Sequence, residues 1–118
     1  MSFPQIDSQI TFLYTADLGA SAVFYEQTLE LPLWLDQGTC RIYQVAPAAY
    51  LGICQTGTLE AQRVAEQPNV IFTIVTQDVD GWYSTLIEKG VTFEKAPAVN
   101  ERYRIYNCFL RDPSGYLI

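Results

Sequence analysis

The feature that most constrains this chain is that its order of elements is written twice. Thr15-Ala16-Asp17-Leu18, followed by Phe24-Tyr25, is answered by Thr76-Gln77-Asp78-Val79, followed by Trp82-Tyr83. In each copy a β-branched and aromatic run precedes the Asp, and an apolar helical stripe follows it. The Asp carboxylate can accept from the free amides of a first helical turn, so each copy reads as a strand feeding a capped helix. The first copy carries one extra turn between the cap and its aromatic pair. A repeat of roughly 60 residues describes two similar units that bury against each other, not a solenoid.

Taken in order, Gln9 to Thr15 reads as the first strand, and Leu18, Val23, Phe24, Gln27 and Leu31 space a helix over about residues 18–30, ended by Pro32. Leu33–Asp36, Arg41–Val45 and Ala49–Cys54 are short strands, with turns at Gln37-Gly38 and Ala46-Pro47. Residues 55–68 are polar and form a linker. The second copy predicts a strand over Asn69–Val75, an N-cap at Asp78, and a helix over 79–89 closed by Lys89-Gly90. A strand over Val91–Glu94, a loop over Pro97–Asn100 and a strand over Tyr103–Leu110 follow. Asp112-Pro113-Ser114-Gly115 then turns the chain back on itself: Pro fixes φ, and Gly supplies a positive φ. The expected organisation is a single domain over 1–118, with repeat one at about 8–54 and repeat two at about 69–118.

At 118 residues, 49% of them hydrophobic and 14% aromatic, the chain can build a core. No apolar run approaches the ~20 residues that span a bilayer, and Met1-Ser2-Phe3-Pro4-Gln5 lacks the features of a signal peptide. The net charge of −6 argues against nucleic acid, which needs clustered Lys and Arg, and favours a cationic ligand weakly. Histidine is absent from the sequence, which removes the commonest metal ligand and excludes any Ser-His or Cys-His nucleophile pair. Cys40, Cys54 and Cys108 lie in apolar or strand-like runs. Their odd number favours buried free thiols in a reducing cytoplasm over a disulfide.

A βαβββ unit written twice, with Asp-Leu and Phe-Tyr in the first helix and a terminal Asp-Pro-Ser-Gly-Tyr-Leu-Ile, resembles the vicinal oxygen chelate superfamily. That superfamily holds glyoxalase I, extradiol dioxygenases, fosfomycin-resistance thiol transferases, methylmalonyl-CoA epimerase and bleomycin-binding proteins. The resemblance covers Ile10 to Ile118 and implies an α+β fold: two tandem modules forming concave mixed sheets, with a ligand in the cleft and pairing through a homodimer. It also implies a divalent metal held by His, Glu or Gln at matched strand positions.

Those positions are poorly filled. The ligand position before the first helix falls at Ile10, the one near the end of the first repeat at about Gly52, and the one opening the second repeat at Asn69 or Ile71. Only Asn69 offers a donor atom, a neutral carbonyl poorly suited to soft divalent ions. The last position falls one residue beyond Ile118. Asp36, Glu94 and Glu101 read as surface charge more readily than as replacement ligands. The expectation is therefore no metal, no cofactor and no catalytic residue inherited from the superfamily.

Strand parity proposes what lines the cleft instead. Phe12 and Tyr14 share the face of Ile10; Tyr50 and Cys54 share that of Gly52; Ile71 and Thr73 share that of Asn69; Ile105, Asn107 and Phe109 form another row. Trp34 is a cleft wall or a dimer contact, and Trp82 is helix-to-sheet core. Arg41, Arg104 and Arg111 are candidates for anionic ligand groups. Cys54 and Cys108 have no basic sequence neighbour to lower a thiol pKa, which argues against a nucleophile. The candidate ligand-binding set is thus Phe12, Tyr14, Trp34, Tyr50, Asn69, Ile71, Asn107 and Phe109. Two functions compete: a cytoplasmic, metal-free protein that sequesters a small planar or cationic organic molecule, and a lyase, isomerase or dioxygenase using non-standard metal ligands. A dimerising scaffold is a third reading.

Overall fold

Strand β1 (Gln9–Thr15) shows the alternation that decides the first unit: Leu13 and Thr15 are buried, whereas Phe12 and Tyr14 are 44% and 48% exposed. In the computed structural model the described residues are 3–57 and 70–118, and the chain divides into compact units Met1–Ala61 and Gln62–Ile118. Each unit is built about its own sheet.

In the first unit, β2 (Leu33–Asp36), β3 (Cys40–Ala46) and β4 (Ala49–Gln55) join β1 in the order β1-β4-β3-β2. The β1–β4 pair is parallel and the others are antiparallel, so the sheet is mixed. Helix α1 (Leu18–Val23) begins where the sequence places it, because Asp17 Oδ1 accepts from the Ala20 N–H at 3.0 Å. Its continuation, Phe24–Thr28, widens into a π-helical turn in which the Leu29 N–H reaches the Phe24 carbonyl at 2.9 Å. The expected helix over 18–30 is therefore α-helical only to Val23. The wider turn lets Tyr25 and Leu29 both be buried, and Tyr25 stacks on Tyr43 of β3 at 5.9 Å between ring centroids. Burying each such side chain is worth roughly 2–3 kcal/mol. Glu30 takes φ 56° and Leu31 bonds back to Tyr25, so the helix has already closed before Pro32.

The β3–β4 hairpin corrects the expectation for two of the cysteines. Its antiparallel register sets Cys40 opposite Cys54 with 4.1 Å between Cα atoms, and the two form a disulfide. Both positions are equally distant from Pro47 at the turn, which is why the hairpin pairs them. Cys108 is a free, half-buried thiol, as expected.

In the second unit, helix α2 (Val79–Glu88) is capped by Asp78, whose Oδ1 accepts from the Gly81 N–H at 2.9 Å, and is followed by Gly90 at φ 85°. Strands β5 (Phe93–Asn100) and β6 (Ile105–Leu110) pair antiparallel. The expected loop at Pro97–Asn100 is instead part of β5. Pro97 has no N–H to give a ladder, and the register slips between Lys95 and Ala98 to accommodate it. The turn lies at 101–104, where the Tyr103 N–H caps onto Asn100 Oδ1 and Arg104 takes φ 55°.

The expected strand over Asn69–Val75 is reduced, among the described residues, to one bridge at Ile71, which pairs parallel with Leu117. Leu117 in turn pairs antiparallel with Arg111, just past β6. The order is that of the first unit: opening segment beside the last, last beside the third, third beside the second. The closing hairpin forms as the turn chemistry dictates. Leu110 and Ile118 exchange both backbone bonds at 3.1 and 2.9 Å, Gly115 has φ 94°, and buried Asp112 accepts from the Ser114 and Tyr116 amides through Oδ1.

Candidate functional site

Helix α1 covers one face of the first sheet, the face carrying Leu13, Tyr43, Leu51 and Ile53, and leaves the other open. Parallel register sets Ile10 beside Tyr50, Phe12 beside Gly52 and Tyr14 beside Cys54 on that open face. On β2 the register slips between Leu33 and Leu35, and Trp34 touches Tyr50 with ring centroids 4.7 Å apart and planes at 44°. Trp34 is 53% exposed. Phe12, Tyr14, Trp34 and Tyr50 thus share one sheet face.

Gly52 is there because Phe12 is. A Cβ on residue 52 would lie 2.4 Å from the Phe12 ring, closer than any carbon contact tolerates. The aromatic ring lies over the glycine backbone and fills the space a longer side chain would need. Ile10, on the same face, has no donor atom. Neither residue fits a divalent cation, and among the described residues no group of three or more His, Cys, Asp or Glu is placed to hold one. Asp36 and Glu94 are committed elsewhere: Asp36 lies 3.6 Å from Arg41, and Glu94 holds Arg111 at 2.8 Å.

Two of the three candidate arginines are held in the same way. Arg41 Nη1 donates to Glu26 Oε2 at 2.7 Å, and the buried Tyr43 hydroxyl donates to the same oxygen at 2.9 Å. Burial, followed by that bond to Glu26, pushes the Tyr43 phenol well above its ordinary value. Arg111 bonds Glu94 and the Gly115 carbonyl rather than Asp112. Arg104 sits in the exposed 101–104 turn.

In the second unit, Tyr106 bonds Asp80 of α2 at 2.5 Å, and Phe93 meets Tyr83 of α2 at 4.6 Å. Those contacts mark the helix-covered face of β5 and β6. Asn107 and Phe109 lie on the opposite face. Lys95 joins them: its Nζ donates to Asn107 Oδ1 at 2.5 Å, reaches the Asn107 carbonyl at 3.4 Å, and stands 5.6 Å from the Phe109 ring centroid. Parity from Phe93 would have put Lys95 against the helix. The register slip between Phe93 and Lys95 turns it over, and the expected strand over Val91–Glu94 stops short of it. Ile71, at the bridge with Leu117, is 53% exposed, Ile105 is exposed, and Asn69 lies outside the described residues. Trp82 is half-buried on α2.

Cys54 is bonded to Cys40, and burial pushes the Cys108 thiol up, against a smaller lowering by Lys95. What the two open faces offer is stacking, apolar contact and a few hydrogen-bonding groups.

Three comparisons place the chain. Its residues 8–118 match the Glyoxalase/Bleomycin resistance protein/Dioxygenase superfamily. No curated protein matches it. Among solved structures, it is similar to a bleomycin resistance determinant encoded on the transposon Tn5, at TM-score 0.76 and 18% identity over 95% of this chain and 93% of that one. It is similar to a glyoxalase/bleomycin resistance protein from Catenulispora acidiphila, at TM-score 0.72 and 19% identity over 94% and 93%. It is also similar to a lactoylglutathione lyase from Agrobacterium tumefaciens, at TM-score 0.68 and 19% identity over 97% and 91%. At these identities the structures speak for the fold, α+β of the glyoxalase/bleomycin resistance type, and not for any one activity. On the match that spans all but its first residues, this chain belongs to the Glyoxalase/Bleomycin resistance protein/Dioxygenase superfamily.

Proposed function

We propose that this protein binds a small, planar organic molecule on the aromatic open face of its first sheet, and does so without a metal ion. The observation that carries the reading is the set of rings on one face: exposed Phe12 over Gly52, and exposed Trp34 against half-buried Tyr50. Water-facing aromatic rings held by a rigid sheet gain about 0.5–1.5 kcal/mol from each stacked partner beyond the area they bury. The same ring that would stack on a ligand occupies the space where a metal ligand at residue 52 would extend. Membership of a superfamily that includes a bleomycin resistance determinant supports ligand capture as a function that needs no bond chemistry. We further propose that the protein acts as a homodimer.

The test is a titration with neutral 1-naphthamide in EDTA-containing buffer, read by tryptophan fluorescence and by calorimetry. Binding should persist in EDTA. Trp34→Ala should weaken it about tenfold, the loss expected for one stacking partner and its buried area. Binding that vanishes in EDTA, or that ignores both Trp34→Ala and Phe12→Ala, overturns the reading.

A further inference from the structure

Lys95 is a half-buried ammonium whose two hydrogen-bond partners are both neutral oxygens of Asn107. Among the described residues no carboxylate lies within ion-pair distance of it. The nearby acids are engaged: Glu94 holds Arg111, and Asp80 holds Tyr106 on the helix-covered face. An ammonium carries three donors and an Asn side-chain amide two more. One Nζ–H and both Asn107 Nδ2–H groups therefore have no acceptor among the described residues. The Phe109 ring, 5.6 Å from Nζ, supplies a face for the cation and an apolar platform beside it. The charge thus meets only neutral partners among the described residues, and an oxyanion is the complement it lacks.

We propose that Lys95, Asn107 and Phe109 form a binding site for an oxyanion carried on an aryl group, the simplest such ligand being an aromatic carboxylate. The carboxylate takes the Lys95 ammonium and the Asn107 amide, as in any charge-assisted pair. The aryl body lies on Phe109. The site is local to β5 and β6 and does not depend on the aromatic face of the first sheet. It also reverses what the net charge of −6 implies: the whole chain repels anions, yet this face presents an uncompensated cation. At short range and partial burial the local charge governs, because distant surface charges are screened within about 10 Å at ordinary salt.

Benzoate, benzamide and benzylammonium are three nearly isosteric probes that differ in charge. Each is titrated into the full chain and followed through the backbone amides of β5 and β6 and the Asn107 side-chain amide by NMR. Benzoate should bind about tenfold more tightly than benzamide, 1.4 kcal/mol, with the largest shifts at Asn107 and Phe109, and benzylammonium should bind most weakly. Lys95→Met keeps the aliphatic stem and should bring benzoate and benzamide within about twofold of each other; Lys95→Arg should keep the preference. Raising salt should weaken benzoate alone. Equal binding of benzoate and benzamide, a preference that survives Lys95→Met, or shifts confined to other parts of the chain would each overturn the proposal. Any of these results leaves the naphthamide titration of the first sheet untouched, so the two readings fail separately.

Discussion

At the scale of single residues, two placements decide most. The first is Gly52 under Phe12. Gly52→Ala puts a methyl 2.4 Å from the ring, and either the ring or strand β4 has to move. The expected cost is about 1–3 kcal/mol, the usual penalty for overfilling a packed site. Phe12→Ala should relieve most of it, so a double-mutant cycle by chemical denaturation should show strong coupling, and additive losses would refute the contact. The second is Tyr43. Its phenol is buried and bonded to Glu26, so the folded state holds the proton more tightly than the unfolded chain. That contribution is complete below the ordinary phenol value of 10.0 and is lost as the pH rises beyond it. Denaturation measured from about pH 8 to about pH 11 should show stability falling along the alkaline limb, with a shallower fall in Tyr43→Phe. Near neutrality the same variant should cost roughly 1 kcal/mol, one hydrogen bond.

At the scale of elements, caps and hairpins hold the units together. Asp78→Ala removes the acceptor for the Gly81 amide at the start of α2 and should cost about 1 kcal/mol, read as a lowered denaturation midpoint. The Cys40–Cys54 disulfide closes a loop with a sequence separation of 14, so its reduction should cost roughly 3 kcal/mol. In the unreduced, denatured protein only the Cys108 thiol should react with an alkylating reagent, and three reacting thiols would contradict the pairing. Much of this scale was legible in the sequence. Asp17 and Asp78 as caps, the strands of the first unit and the Asp112–Gly115 turn follow from local chemistry that neighbours do not overrule. What was not legible depended on register. The disulfide follows from which residue faces which across the Pro47 turn, and no single segment encodes that. The π-helical turn after Val23 trades ideal hydrogen bonding for the burial of Tyr25, a tertiary gain. Lys95 lies beyond the expected Val91–Glu94 strand and changes faces through a slip that alternation cannot anticipate, so one of the three residues on the second unit's open face was missed. Phe12, Tyr14 and Tyr50 share one face, as parity expects, because β1 and β4 are regular and regular strands keep parity.

At the scale of the whole molecule, the chain keeps a superfamily fold while filling the expected metal positions with an alkyl chain at Ile10 and no side chain at Gly52. Two units repeat one strand order, yet their open faces differ: aromatic rings in the first, a lysine, an amide and a ring in the second. A fold that supports both metal chemistry and simple capture assigns neither by itself, so the decision rests on the residues that line it. The most direct test is a thermal melt of the full chain against Mn²⁺, Ni²⁺, Zn²⁺ and Fe²⁺, against EDTA, and against 1-naphthamide. A ligand bound only by the folded state stabilises by about 2.7 kcal/mol at a hundredfold excess over its dissociation constant, a shift of roughly 10 °C for a domain of this size. The account predicts a flat response to every metal and to EDTA, and a rise with naphthamide. A metal-specific rise reversed by EDTA, with none from naphthamide, would contradict it.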